Sequence, residues 1–131
     1  MLETILFIDD DLITLMLCKM VISKASFSNE IATAKNGEEA LSYFDKLKTT
    51  QANNKPQLIF LDLNMPVMNG WEFLDRFTTE IYSEFHNTKI VILSSTIDPA
   101  DLERSKKYPM VLDFLSKPIS KEMLEYLKDK I

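Results

Sequence analysis

Four strand-length apolar runs punctuate this chain, and each one stops on residues with chemistry to offer. Ile5-Leu6-Phe7-Ile8 stops on Asp9-Asp10-Asp11, and Leu58-Ile59-Phe60-Leu61 on Asp62. Ile90-Val91-Ile92-Leu93 stops on Ser94-Ser95-Thr96, and the looser Val111-Leu112-Asp113-Phe114-Leu115 on Ser116-Lys117-Pro118. The first three runs do not alternate apolar with polar residues. A strand with one wet face must alternate, so these strands need cover on both sides, as in a parallel sheet sandwiched by helices. A weaker run, Glu30-Ile31-Ala32-Thr33-Ala34, supplies a fifth strand.

Between the runs the period becomes helical. Ile13, Met16, Leu17, Met20 and Val21 keep the i, i+3, i+4, i+7, i+8 spacing of a single apolar stripe. Ala40, Leu41, Phe44 and Leu47 do the same after Asn36-Gly37, with Asn36 placed to cap the helix. Trp71, Leu74, Phe77 and Ile81 form a third stripe, and Asp98-Pro99 opens a fourth helix with a capping carboxylate and a proline in the first turn. A fifth begins at Ser120 and carries Met123, Leu124, Leu127 and Ile131. The polar stretch from Lys48 to Gln57 reads as a surface loop. Strand and helix alternate five times, which predicts an α/β fold: a three-layer, doubly wound (βα)5 arrangement on a parallel five-stranded sheet.

Composition narrows the function classes. The chain has 131 residues, the size of one domain, and a formal net charge of −5, which disfavours a nucleic-acid binder. One cysteine, Cys18, rules out an internal disulfide and a multi-cysteine zinc site, and one histidine, His86, rules out a two-histidine metal motif. With only Gly37 and Gly70, neither a dinucleotide fingerprint nor a P-loop can be written. No apolar run approaches the ~20 residues of a membrane span, and no secretory signal opens the chain. The expectation is a cytoplasmic module that contacts neither nucleic acid nor membrane.

In an open α/β sheet, ligands bind beyond the C-terminal strand edge, where the strand order switches. The flavodoxin-like order 2-1-3-4-5 makes strands 1 and 3 neighbours at that switch, so Asp9, Asp10 and Asp62 converge. Two unit charges about 4 Å apart repel by about 4 kcal/mol at an effective dielectric of roughly 20, so such a trio calls for a cation or for bound protons. Hard oxygen donors suit Mg²⁺, with Mn²⁺ as a substitute, and not zinc. Lys117 reaches the same edge from the last strand, and Ser94 adds a hydroxyl. Together they suit phosphoryl transfer, with Asp62 as nucleophile. Asp11 reads as an ordinary helix cap. Cys18 reads as an inert packing residue, Met65 and Met68 as loop packing, and His86 as a solvated surface residue. Trp71 is expected to pack the third helix with its indole near the loop that follows Asp62.

With these residues in view, the chain resembles the receiver domain of two-component response regulators over essentially its whole length. The resemblance rests on ILFIDDD at 5–11, LIFLDLNMPVMNG at 58–70, VILSS at 91–95 and FLSKP at 114–118. It implies a single receiver domain over 1–131 with no output domain. Asp62 would accept a phosphoryl group from a sensor histidine kinase or a histidine-phosphotransfer protein. Asp10, Asp62 and the main-chain carbonyl of Asn64 would hold the metal ion, with Asp9 acting through a bound water. Lys117 would contact a phosphoryl oxygen, and the Lys117-Pro118 bond would be cis. Ser94 would take the switch hydroxyl position, and Phe114 the switch aromatic position, where the family often has tyrosine and its hydroxyl. A downstream protein target is implied, docking on the face of helix 4, strand 5 and helix 5, for a monomer or weak homodimer that is not itself an enzyme.

Two other readings compete. A Mg²⁺-dependent phosphatase of the aspartate-nucleophile type wants a second aspartate two residues after the nucleophile, and this chain has Asn64. A receiver-like docking module that is never phosphorylated usually lacks an acidic-pocket residue or the lysine, and here all are present.

Overall fold

The computed structural model describes residues 2–50 and 55–131. The elements alternate along the chain as β1 (Leu2–Ile8), α1 (Leu12–Lys24), β2 (Ser28–Ala34), α2 (Gly37–Thr50), β3 (Leu58–Asp62) and α3 (Gly70–Phe77). A short 3-10 helix (Glu80–Phe85) follows, then β4 (Lys89–Ser94), α4 (Pro99–Ser105), β5 (Val111–Ser116) and α5 (Lys121–Lys128). All neighbouring strands pair in parallel, in the order β2-β1-β3-β4-β5. The fold is thus the flavodoxin-like α/β arrangement the runs predict. None of the described helices is long and apolar enough to cross a membrane.

The unalternating runs are explained by where successive residues point. In β1, Leu6 and Ile8 join the core layer shared with α2 and α3, while Ile5 and Phe7 join the layer shared with α1 and α5. In the same way β3 sends Ile59 and Leu61 one way and Leu58 and Phe60 the other. A strand buried on both faces has no polar position to alternate with. The pairing of β4 with β5 slips between Ile90 and Val91, which leaves Leu112 as an extra residue on β5.

The first helix departs from expectation. Its buried residues are Leu15, Cys18 and Ile22, whereas Leu12, Ile13, Met16, Leu17 and Met20 are each more than half exposed. Of the predicted stripe only Val21 packs against the core, half-buried, while the rest faces solvent, and the helix packs by a narrower stripe offset from it. The reason is that α1 is apolar nearly all round, so periodicity alone selects the wrong side. Ile81 is also exposed: α3 ends at Phe77, where the Thr78 hydroxyl donates to the Leu74 carbonyl, and the chain restarts as the 3-10 helix. Lys48 to Thr50, expected in a loop, complete α2, and 51–54 lie outside the described residues. His86 is not simply solvated. It is half-buried, with Nε2 3.0 Å from the Phe77 carbonyl oxygen and its ring edge-on to Phe77.

Caps set the helix starts near the C-terminal edge. The Asp11 carboxylate accepts from the Ile13 N–H, Asn36 Oδ1 from the Glu39 N–H, and Asp98 from the Ala100 N–H. Asn69 and Glu72 form a reciprocal capping box at α3.

Candidate functional site

Four strand ends meet at one edge. β1 hands over to Asp9 and Asp10, β3 ends at Asp62, β4 at Ser94, and β5 at Ser116 just before Lys117. Carboxylate oxygens from Asp9, Asp10 and Asp62 all lie within 4.8 Å of one another. Asp9 is fully buried, Asp62 is 6% exposed and Asp10 is open to solvent. Asp9 Oδ1 accepts from the Asp11 N–H at 3.0 Å, and its Oδ2 accepts from Lys117 Nζ at 2.6 Å. The same ammonium stands 3.4 Å from Asp62 Oδ1, which also accepts from the Asn64 N–H at 3.4 Å. Of the two carboxylate contacts of Lys117, the shorter is with Asp9 and the longer with Asp62.

One ammonium faces three carboxylates, and the imbalance shows in the ionisation of the groups. Burial raises the Asp62 pKa above 3.8 and the Asp9 charge raises it further, with Lys117 and the Asn64 N–H opposing them. Burial works to lower the Lys117 pKa, but the hydrogen bond it donates to Asp9 and the charges of Asp62 and Asp9 outweigh it, and the net shift is upward. Lys117 is therefore a fixed cation, and Asp62 is a carboxylate held in its charged form at a cost. Burial, with the Asp9 charge adding to it, pushes the Cys18 thiol up to about 11, so it is a packing group.

The loop leaving Asp62 is fitted closely. A Cβ on Gly70 would stand 2.6 Å from the Asp62 carbonyl oxygen and 2.9 Å from Leu63 Cα, so only glycine lets α3 start here. The Gly70 N–H donates to the Leu63 carbonyl, and the Gly37 N–H to the Met68 carbonyl. Met65 and Met68 are buried, as loop packing requires. Between them Val67 is 76% exposed and has φ 74°, a left-handed conformation that is costly for a β-branched residue. Across the pocket, buried Ser94 accepts from the Thr96 N–H at 3.4 Å, and its carbonyl accepts from the Lys117 N–H at 2.8 Å. The Lys117–Pro118 bond is cis, and Phe114 is buried against the core two residues before the pocket end of β5.

The donor set fits a hard divalent cation. Opposite oxygens around Mg²⁺ lie about 4.2 Å apart at ~2.1 Å per bond, close to the spread of the three carboxylates, and all three are oxygen ligands.

Two groupings escaped the sequence. One is the apolar exposed side of α1, which continues from the Asp11 cap at the pocket. The other surrounds Trp71, whose indole lies against Tyr108 and Arg104. Its partners are more than thirty residues away in the chain, and no local pattern signals such a pairing.

The chain matches the family model described as the response regulator receiver domain over residues 5–127. A two-component response regulator from Cytophaga hutchinsonii superposes with a TM-score of 0.89 at 30% identity, covering 98% of this chain and 96% of that one. The chemotaxis protein CheY4 of Vibrio cholerae superposes with a TM-score of 0.77 at 26% identity, covering 100% and 99%. Among curated relatives, a protein-glutamate methylesterase/protein-glutamine glutaminase of Bacillus subtilis is 29% identical over 132 residues, 96% of this chain and 32% of its own length. The chain spans about a third or less of the length of the first curated relatives it matches. With the five-stranded order and the acidic strand-end cluster, the family match establishes that this chain belongs to the response regulator receiver domains.

Proposed function

We propose that this domain takes a phosphoryl group onto Asp62 from a phosphohistidine of a histidine kinase or phosphotransfer protein, and signals by protein contact. The observation that carries the reading is the convergence of Asp9, Asp10 and Asp62 with the ammonium of Lys117 at one strand edge. An Asp62 carboxylate oxygen attacks phosphorus, the phosphorus–nitrogen bond breaks, and the electron pair leaves on the imidazole, which takes its proton from solvent. Asp10, Asp62 and the Asn64 carbonyl would hold Mg²⁺, with Asp9 acting through water. When bound there, the ion would supply neutralisation of charge on the transferring oxygens.

Lys117 is placed to shift its contact from the carboxylates toward a phosphoryl oxygen, and the Ser94 hydroxyl is placed to donate to another. Nothing among the assigned residues supplies the second aspartate of a phosphatase, since Asn64 stands there. The exposed apolar side of α1 supports a protein donor, because it offers surface beside the pocket that a partner helix can bury. The domain then acts as a phosphoacceptor, with only self-catalysed gain and loss of the group.

The test is incubation with acetyl phosphate and Mg²⁺. The expected product carries one phosphoryl group per chain, is labile to hydroxylamine, depends on the metal and is absent from Asp62→Asn. Multiple turnover of small phosphate esters would transfer the assignment to a phosphatase. No adduct at all would leave a docking module.

A further inference from the structure

The helices that follow Asp62 and Ser94 are joined by a closed ring of four side chains. Trp71 and Asp75 lie one turn apart on α3. The Arg104 guanidinium of α4 stands 4.5 Å from the Trp71 ring centre and 3.9 Å from the Asp75 carboxylate. Tyr108, in the turn after α4, stacks on the same indole at 5.9 Å between ring centres and 26° between planes, and its hydroxyl donates to Asp75 at 2.5 Å. Each member of the ring thus touches two others. Stacking of arginine on an aromatic face with a carboxylate behind it is directional, so the ring fixes an orientation as well as a distance.

Apart from the ring, α4 is held by its packing on β5. It has seven residues, and only Ser105 among them is buried. The Ser105 hydroxyl is spent on the Leu102 carbonyl of its own helix. A helix this short is unstable by itself and takes its position from its contacts. The two sides of the ring are also unequally anchored. α3 starts at Gly70, seated on the Asp62 carbonyl with its N–H on Leu63. α4 starts five residues after Ser94, through a segment whose tie to that hydroxyl is the long 3.4 Å bond from the Thr96 N–H.

We propose that Trp71, Asp75, Arg104 and Tyr108 form a latch that holds α4 against α3 in the resting domain, so that occupancy of the phosphoacceptor pocket is opposed by the latch and opens it. The coupling half of this inference rests on the reading of Asp62 as phosphoacceptor. α3 is the fixed jaw and α4 the movable one. A ligand that draws the Ser94 hydroxyl into the pocket pulls on the segment leading to α4 and takes Arg104 off the indole. Coupling of this kind is reciprocal: if pocket occupancy opens the latch, cutting the latch favours occupancy.

The chain's single tryptophan is the natural reporter. Beryllofluoride with Mg²⁺, a phosphoryl mimic, should change Trp71 emission in the wild type. In Arg104→Ala the resting emission should already be altered and the further change largely lost. The half-saturating beryllofluoride concentration should fall by about fivefold, the low end of ordinary coupling. Arg104→Lys keeps the charge without the planar stack and should behave like Arg104→Ala. Hydrogen exchange read without any ligand should be faster at α4 amides in Arg104→Ala and unchanged at α2 amides. Unaltered α4 exchange and resting emission in Arg104→Ala overturn the latch itself. An unchanged beryllofluoride midpoint, in protein that acetyl phosphate still labels, overturns the coupling. Wild-type protein that acetyl phosphate fails to label points instead to failure of the phosphoacceptor reading, and α4 exchange still decides the latch.

Discussion

The layer that α2 and α3 pack onto the sheet and the rim where the strands end obey different rules. In the layer, the Phe44 ring centre is 4.5 Å from that of Phe77 and 4.8 Å from that of Phe85, and Phe73 stacks on Phe77 at 5.1 Å. All four rings are buried, and α2 turns its charged side outward. At the rim, three carboxylates share one ammonium, Asp62 ionises against its surroundings, Val67 is left-handed and exposed, and α1 presents leucine, isoleucine and methionine to water. Each rim feature costs the fold something. Rules of folding broken together at one end of a molecule, and kept elsewhere, mark the end on which another demand acts.

Substitutions that treat the two regions alike should therefore give unlike results. Phe44→Ala should be the most damaging, costing about 3–5 kcal/mol, a large share of a typical domain's stability. Urea unfolding monitored by circular dichroism reads this directly, and a loss near zero would mean the aromatic layer is not the core.

Asp62→Asn should act in the opposite direction. The folded-state pKa of Asp62 lies above the value of 3.8 that it starts from, so its ionised form is disfavoured by folding. That penalty is absent below about pH 4, grows as pH rises through the raised pKa, and is fully present near neutrality. The variant should melt higher than wild type at about pH 7 in metal-free buffer, with the gap closing toward about pH 3. A lower melting point at neutral pH would contradict the electrostatic account of the rim.

Val67→Asn should stabilise by about 1 kcal/mol, because asparagine tolerates the left-handed backbone that valine resists. A destabilised variant would show that the valine side chain contributes to the fold itself. The smallest effect belongs to Met16→Ser on the open side of α1, within about 0.5 kcal/mol of wild type. Its consequence should appear instead in transfer from a phosphorylated protein donor, slowed while labelling by acetyl phosphate is unchanged. Equal slowing of both would remove α1 from any role in partner contact.

How much of this was legible depended on whether the deciding contacts were local. Doubly buried strands announce themselves because their residues alternate between two apolar layers, as Leu6 and Phe7 do. The acidic site could be read because in a parallel fold the residue after each run lands at the same edge. Helix starts at Asp11, Asn36, Asp98 and Ser120 were visible because a cap acts within three residues. The packing side of α1 was not, since Leu15, Cys18 and Ile22 differ from their exposed neighbours only in what stands opposite them. Ile81 was misplaced because the third stripe ran on past the real helix end. The environment of His86 depends on the Phe77 carbonyl, and the pairing of Lys117 with Asp9 on a contact across 108 positions. Periodicity carries no record of either.

The thiol of Cys18 gives the molecule a silent clock. A thiol whose pKa is pushed up to about 11 is roughly one part in ten thousand thiolate at neutral pH, and it sits on the buried side of the first helix. Alkylating reagents will scarcely modify it while the helix is seated. Its rate of modification therefore counts how often α1 lifts from the sheet, a measurement that needs no engineered label and disturbs neither the acidic pocket nor the exposed methionines above it.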